Sequence, residues 1–251
     1  MMKYSWKSRV YILISCLFFI ALWQVSAIII DNDIYIPRIQ QVIKSIVEIV
    51  NEPDFFKIVL SSFYRTAISY ILALGCSMIL GVLSVVYPFF KYLLSPNLRK
   101  QFCYGCYHEV VLALVWFTKD SAPFVVGFAI TFPILYEGVR NSIMQIDKKL
   151  IDMTEIYEVE LIDKIKKIYF PVMKFYFMSI FVSTFSLTFK VVIAGEIHGQ
   201  PKFGIGTHIQ LEKVNFNVSG IFAWIIIIMF ISLIFELINR FLQKKIYRWN
   251  K

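Results

Sequence analysis

The sequence predicts an all-α, polytopic membrane protein of about six spanning helices with a helical segment on one membrane face. Three observations carry this. Of the 251 residues, 58% are hydrophobic and only 17% charged, whereas a soluble domain carries about a quarter charged residues. Apolar runs long enough to cross ~30 Å of hydrocarbon recur along the chain, and in lipid only helices or closed barrels satisfy the backbone. The formal net charge of +9 concentrates between the runs, as expected for cationic cytoplasmic loops, and does not call for a nucleic-acid partner. Cys16, Cys76, Cys103 and Cys106 lie in or near apolar runs and define neither a disulfide framework nor a redox compartment.

The elements follow in order. Lys3, Lys7 and Arg9 precede an apolar run over residues 10–30. That run is too long for a signal-peptide core and lacks a small-residue cleavage site, so it reads as an uncleaved first span. Residues 31–57 are polar, with Ile36-Pro37 followed by helical spacing of Val42, Ile46, Ile49 and Val50. The second span covers 62–86 and holds Gly75 and Gly81, small residues that permit close helix approach. A basic, proline-containing connection leads to a weaker third span over 102–117. Thr118-Lys119-Asp120-Ser121 then makes a tight polar turn. The fourth span, 122–139, is interrupted by Pro133. Residues 142–171 form a polar loop, the fifth span covers 172–194, and the sixth covers 220–242 before a basic tail.

An even number of spans puts both ends on one side. Counting Lys and Arg, eighteen fall on the side of the termini and eight on the other. The positive-inside rule therefore predicts cytoplasmic termini, a cytoplasmic 142–171 loop and an outer Gly195–Asn217 stretch.

Within that loop, Ile146, Leu150, Met153, Tyr157, Leu161, Ile165 and Ile168 recur at helical spacing as one apolar stripe. The phase continues through Glu158, which predicts an unbroken helix there. Pro171 is expected to break the chain's helix before the next span. The loop reads Asp152-Met153-Thr154, three residues, Glu158, nine residues, then Ile168-Tyr169-Phe170-Pro171. This resembles the cytoplasmic "EAA" loop of ABC importer membrane subunits, Glu-Ala-Ala, three residues, Gly, nine residues, Ile-x-Leu-Pro. Asp152 stands for the Glu, Met153 and Thr154 for the alanines, Glu158 for the Gly and Phe170 for the Leu; Ile168 and Pro171 match. Further features extend the resemblance over nearly the whole chain. They are Ser62-Phe63-x-Arg65 at the second span, Glu196 followed by Gly204-Ile205-Gly206, and the terminal Arg248-Trp249. The chain thus resembles the binding-protein-dependent ABC importer permeases, nitrate/sulfonate/taurine-like branch.

The resemblance implies a type I-like importer fold that is a single permease domain over residues 1–251, in a bacterial inner membrane. It implies three protein partners: a cytoplasmic ATP-binding subunit, a second permease copy and an extracytoplasmic substrate-binding protein. It places ATP-Mg on the partner ATPase and no cofactor in this chain. Coupling to the ATPase is expected through Asp152, Met153, Thr154, Tyr157, Glu158, Leu161, Ile168 and Pro171. The sequence holds no Gly-x4-Gly-Lys-Ser/Thr loop, no His-Glu-x-x-His and no Gly-x-Ser-x-Gly.

Few residues suggest chemistry. Cys103-x-x-Cys106-x-His108-Glu109 has partial zinc-like spacing but no second pair of ligands nearby, and reads as polarisable filling at a helix start. His108, Glu109 and Lys190 are ionisable groups in or near apolar spans, which makes them candidate pathway residues. Two other classes compete: a membrane-embedded, lipid-modifying enzyme, and an ion-coupled carrier or channel. The first needs clustered catalytic groups at one face, the second charged or broken-helix sites near the midplane. The most ordered polar feature here is the 142–171 loop.

Overall fold

The computed structural model describes residues 6–87, 89–90, 92–93 and 107–246. Among them the regular structure is helical: α1 (Trp6–Ile30), α2 (Ile39–Asn51), α3 (Phe55–Val86), α4 (Tyr107–Trp116), α5 (Ala122–Met144), α6 (Lys148–Ile156), α7 (Leu161–Gly199), α8 (Ile205–Val214) and α9 (Val218–Ile246). Among the described residues four helices are long and apolar enough to cross a membrane, namely α3, α5, α7 and the Val218–Ile238 part of α9. Leu17–Ile30 in α1 is a shorter apolar stretch. The expected third span is represented by α4, whose ten described residues would cover about 15 Å. Cys103, Cys106 and the Arg248-Trp249 ending lie outside the described residues.

The chain divides into two compact units, one of Met1–Phe55 with His208–Phe230, the other of Phe56–Thr207 with Ile231–Lys251. In the first, α2 buries Val42 and Ile49, with Ile46 half-buried and Val50 exposed, so two of the four apolar positions expected inside carry the packing. Trp23 Nε1 donates to the Pro37 carbonyl at 3.1 Å, which fixes the proline turn against α1. The Trp23 and Phe222 rings lie 5.2 Å apart, and Phe55 stacks on Trp224 at 6.2 Å.

The second unit holds α5 and α7 against each other, with α3 alongside. Its core joins Tyr70 and Ala73 of α3, Leu135, Val139 and Ile143 of α5, and Tyr169, Met173, Phe177 and Phe185 of α7. The two α3 glycines differ. A Cβ on Gly81 would sit 2.5 Å from Val139 Cγ1, so this glycine sets the α3–α5 approach, whereas Gly75 has nothing within 4 Å and sets none. Thr131 and Thr188 hydroxyls meet at 2.8 Å between α5 and α7. Close by, Pro133 is buried inside α5 without ending it. The expected interruption is absent because neighbouring helices hold the segment in place, as membrane helices allow.

Candidate functional site

Two places in the second unit gather the residues that the sequence singles out. The first is the segment between α5 and α7. Asp147 caps α6, its carboxylate accepting from the Lys149 N–H at 3.0 Å, as a short polar side chain does for orphan amides at a helix start. The helix then ends at Ile156, contrary to the continuous helix that the stripe predicts. Glu158 adopts a left-handed φ of 46°. Its N–H bonds to Glu155 O at 3.2 Å, and Val159 N–H bonds to Thr154 O at 3.0 Å. This pair of bonds is the Schellman ending, whose turning position favours glycine. Glu158 thus occupies the position of the pattern's Gly in the conformation glycine is suited to.

The turn also splits the stripe. Ile146, Ile151, Ile165 and Ile168 pack against the core, and Thr154 is buried. Leu150, Met153, Tyr157 and Leu161 face outward, with Ile156 77% and Tyr157 74% exposed. Asp152 is exposed as well. Of the expected coupling residues, Thr154 and Ile168 therefore hold the segment to the body, while Asp152, Met153, Tyr157, Glu158 and Leu161 form its outer surface.

Pro171 does not break the helix, which runs unbroken from Leu161 to Gly199. The physical reason lies just before it. Residues Ile165–Tyr169 form a π turn, with Phe170 N–H bonded to Ile165 O. The widened turn accommodates a ring that lacks an N–H and presses on the carbonyl four residues back. The fifth-span helix is thereby joined directly to the α6 turn.

The second place is at the other end of α7. Glu196 is completely buried. Ser62 Oγ lies 2.9 and 2.7 Å from its two oxygens, Arg65 Nη1 donates at 3.0 Å, and Gly206 N–H donates at 3.1 Å. Ser62 Oγ also accepts from Ile205 N–H at 2.9 Å. Arg65 Nη1 reaches the Phe203 carbonyl at 2.6 Å, and its Nη2 lies 3.7 Å from Asp120. A buried carboxylate is costly unless paired and hydrogen-bonded, and here both oxygens are used. A Cβ on Gly204 would come within 2.8 Å of the Glu196 carboxylate, and one on Gly206 would strike the Ile193 carbonyl. Both glycines are needed for close approach. The sequence flagged Ser62, Arg65, Glu196 and the Gly-Ile-Gly separately; what it does not show is that they form one knot tying α3, α7 and the start of α8.

The profile of the family described as "Binding-protein-dependent transport system inner membrane component" matches residues 107–248, more than half of the chain. The chain belongs to this family. It is an ABC importer permease. Over 233 residues it is 22% identical to the putative aliphatic sulfonates transport permease protein of Bacillus subtilis (strain 168), an alignment covering 92% of this chain and 84% of that one. The permease is thus a multi-pass membrane transport subunit rather than an enzyme. Lys190 is exposed on α7, and His108 and Glu109 fall in the first turn of α4. Among the described residues, no group of three or more His, Cys, Asp or Glu side chains is placed to hold a metal ion.

Proposed function

We propose that this permease forms the translocation pathway of an ATP-driven importer and receives its stroke through residues 152–171. The solute would be small and delivered by an extracytoplasmic binding protein. Energy would come from ATP-Mg on a separate cytoplasmic ATPase, and two permease copies would enclose the path. Both termini and the α6 turn would be cytoplasmic, following the cation bias. The name of the Bacillus relative makes aliphatic sulfonates the first solute class to test.

One observation carries this reading: the outward apolar surface at Met153, Ile156, Tyr157 and Leu161, on a capped turn continuous with a 39-residue helix. Exposed aromatic and aliphatic groups on a segment outside the spans mark a protein-binding site. A partner that grips the turn acts directly on α7, and ATP can shift the assembly only through contacts that differ between its states. Buried aromatics tend to dominate interface energies, so Tyr157→Ala is expected to lose the ATPase while membrane yield is kept. The measurement is the amount of protein with a phosphate-binding loop that copurifies with the tagged chain from its own host. Full retention by Tyr157→Ala would place coupling elsewhere.

A further inference from the structure

The short helix α2 presents three kinds of surface. Val42 and Ile49 are buried and Ile46 half-buried, and at 3.6 residues per turn these three share one sector of about 60°. Beside it, a second sector of about 60° carries Ile43, Val47 and Val50, all exposed. A third carries Gln40, Lys44, Glu48 and Asn51, also exposed. A helix on the surface of a protein in water pairs one covered apolar stripe with a polar face. Here a bare aliphatic strip adjoins the covered stripe.

Contacts within the first unit set the depth of this strip. The apolar part of α9, Val218–Ile238, has 21 residues. Its length of about 31 Å matches the ~30 Å of hydrocarbon, so its first turn marks the hydrocarbon edge. Ser45 Oγ, midway along α2, donates to Ser219 Oγ in that turn at 3.1 Å. The start of α2 does not stand off in water either. Ile39 N–H donates to Gln24 Oε1 at 3.4 Å, beside the Trp23–Pro37 bond. Gln24 lies six residues before the end of α1 at Ile30, about 9 Å back along the axis. The chain therefore leaves α1 and folds back before α2 begins. Just beyond the end of α2, Phe55 stacks on Trp224, six residues into α9. Start, middle and end of α2 are thus tied to residues at or inside the ends of apolar helices.

We infer that α2 is an interfacial helix lying in the membrane surface, with Ile43, Val47 and Val50 in the acyl chains of one leaflet and Gln40, Lys44 and Glu48 among the headgroups. Such a helix sinks its apolar face about 5–10 Å into the boundary between headgroups and acyl chains, the level at which the three ties hold α2. The occupant of the strip is phospholipid. Three aliphatic side chains offer far less than the roughly 800 Å² per partner of a specific protein interface, whereas a leaflet sets no such minimum. Held by its strip, α2 fixes the depth of the α1 and α9 ends to which it is bonded. The inference needs only that the chain spans a membrane, and it is independent of the coupling segment.

The test is a spin-label depth measurement on the full chain in phosphatidylcholine–phosphatidylglycerol vesicles. Cysteine is placed singly at Ile43, at Val47 and, on the polar sector, at Lys44, in a chain whose four native cysteines are serine. All three sites are exposed, so the label enters no packed interior. Oxygen concentrates among acyl chains and a neutral nickel chelate in water, so the ratio of their effects on a label reports its surroundings. That ratio at Ile43→Cys and Val47→Cys should exceed the ratio at Lys44→Cys by about fivefold or more. Equal ratios at the three sites overturn the inference and place the strip in water, open to a soluble partner. Val47→Cys shielded from both reagents, with spin–spin broadening, overturns it as well and assigns the strip to a second copy of the chain. A second measurement uses the unaltered chain. A phospholipid with a photoactivatable acyl chain should crosslink to residues 43–50, and their escape while α1 and α9 are labelled would refute the placement.

Discussion

Glu158 and Glu196 are two carboxylates in unlike circumstances, and each makes a prediction. Glu158 is exposed and strained by its left-handed backbone, which costs a non-glycine residue about 1 kcal/mol or more. Glu158→Gly should therefore raise stability by roughly that amount, seen as a higher unfolding temperature of the purified chain in detergent. A continuous helix through this position would give the opposite sign, since glycine weakens a helix interior by about 1 kcal/mol. Glu196, fully buried, depends on its partners. Arg65→Ala leaves a buried carboxylate without its counter-charge and should destabilise by about 3–5 kcal/mol. Glu196→Gln keeps groups that can bond Ser62 and Gly206 and should cost less. If Arg65→Ala unfolds at the same temperature as the parent chain, the knot does not hold the fold.

At the scale of elements, the sequence showed where helices lie more reliably than where they end. Apolar runs located α3, α5, α7 and α9, because a long apolar stretch with few charges reads as a span. Periodicity failed at residues 157–160. A stripe in phase on both sides of a turn reads as one helix, and only the backbone of Glu158 separates the two. Pro171 and Pro133 misled in the other direction. A proline limits a lone helix, but packing around Pro133 and the π turn before Pro171 absorb it. Pro171→Ala removes the need for that turn. Residues 165–169 should then close to α geometry, turning α6 by about 100° relative to α7. Hydrogen exchange should show their amides better protected, and ATPase coupling should fall. Unchanged exchange would mean the π turn is set by packing of Ile165 and Ile168 rather than by proline.

For the whole molecule, the family was legible through the order of weak features rather than through any one motif. Asp152–Pro171 alone departs from the family pattern at several positions, yet its place between the fourth and fifth spans, with Glu196 and Gly-Ile-Gly beyond, is specific. The knot itself was not legible, since contacts between residues more than a hundred positions apart leave no local pattern. Topology can be checked directly. Single cysteines at Glu155 and Lys202, exposed in the fold, should label from outside intact cells at Lys202 only; labelling at Glu155 would invert the molecule.

The central claim is that this chain transmits ATP energy without binding ATP. It is tested most directly by measuring ATP hydrolysis of the purified chain, first alone and then as the complex that copurifies from its host. The chain alone should show no turnover, because it has no phosphate-binding loop. The complex should hydrolyse ATP, and Tyr157→Ala should strip both the partner and the activity from it. Substantial turnover by the chain alone, or a purified chain that transports solute with no ATPase attached, would contradict the account.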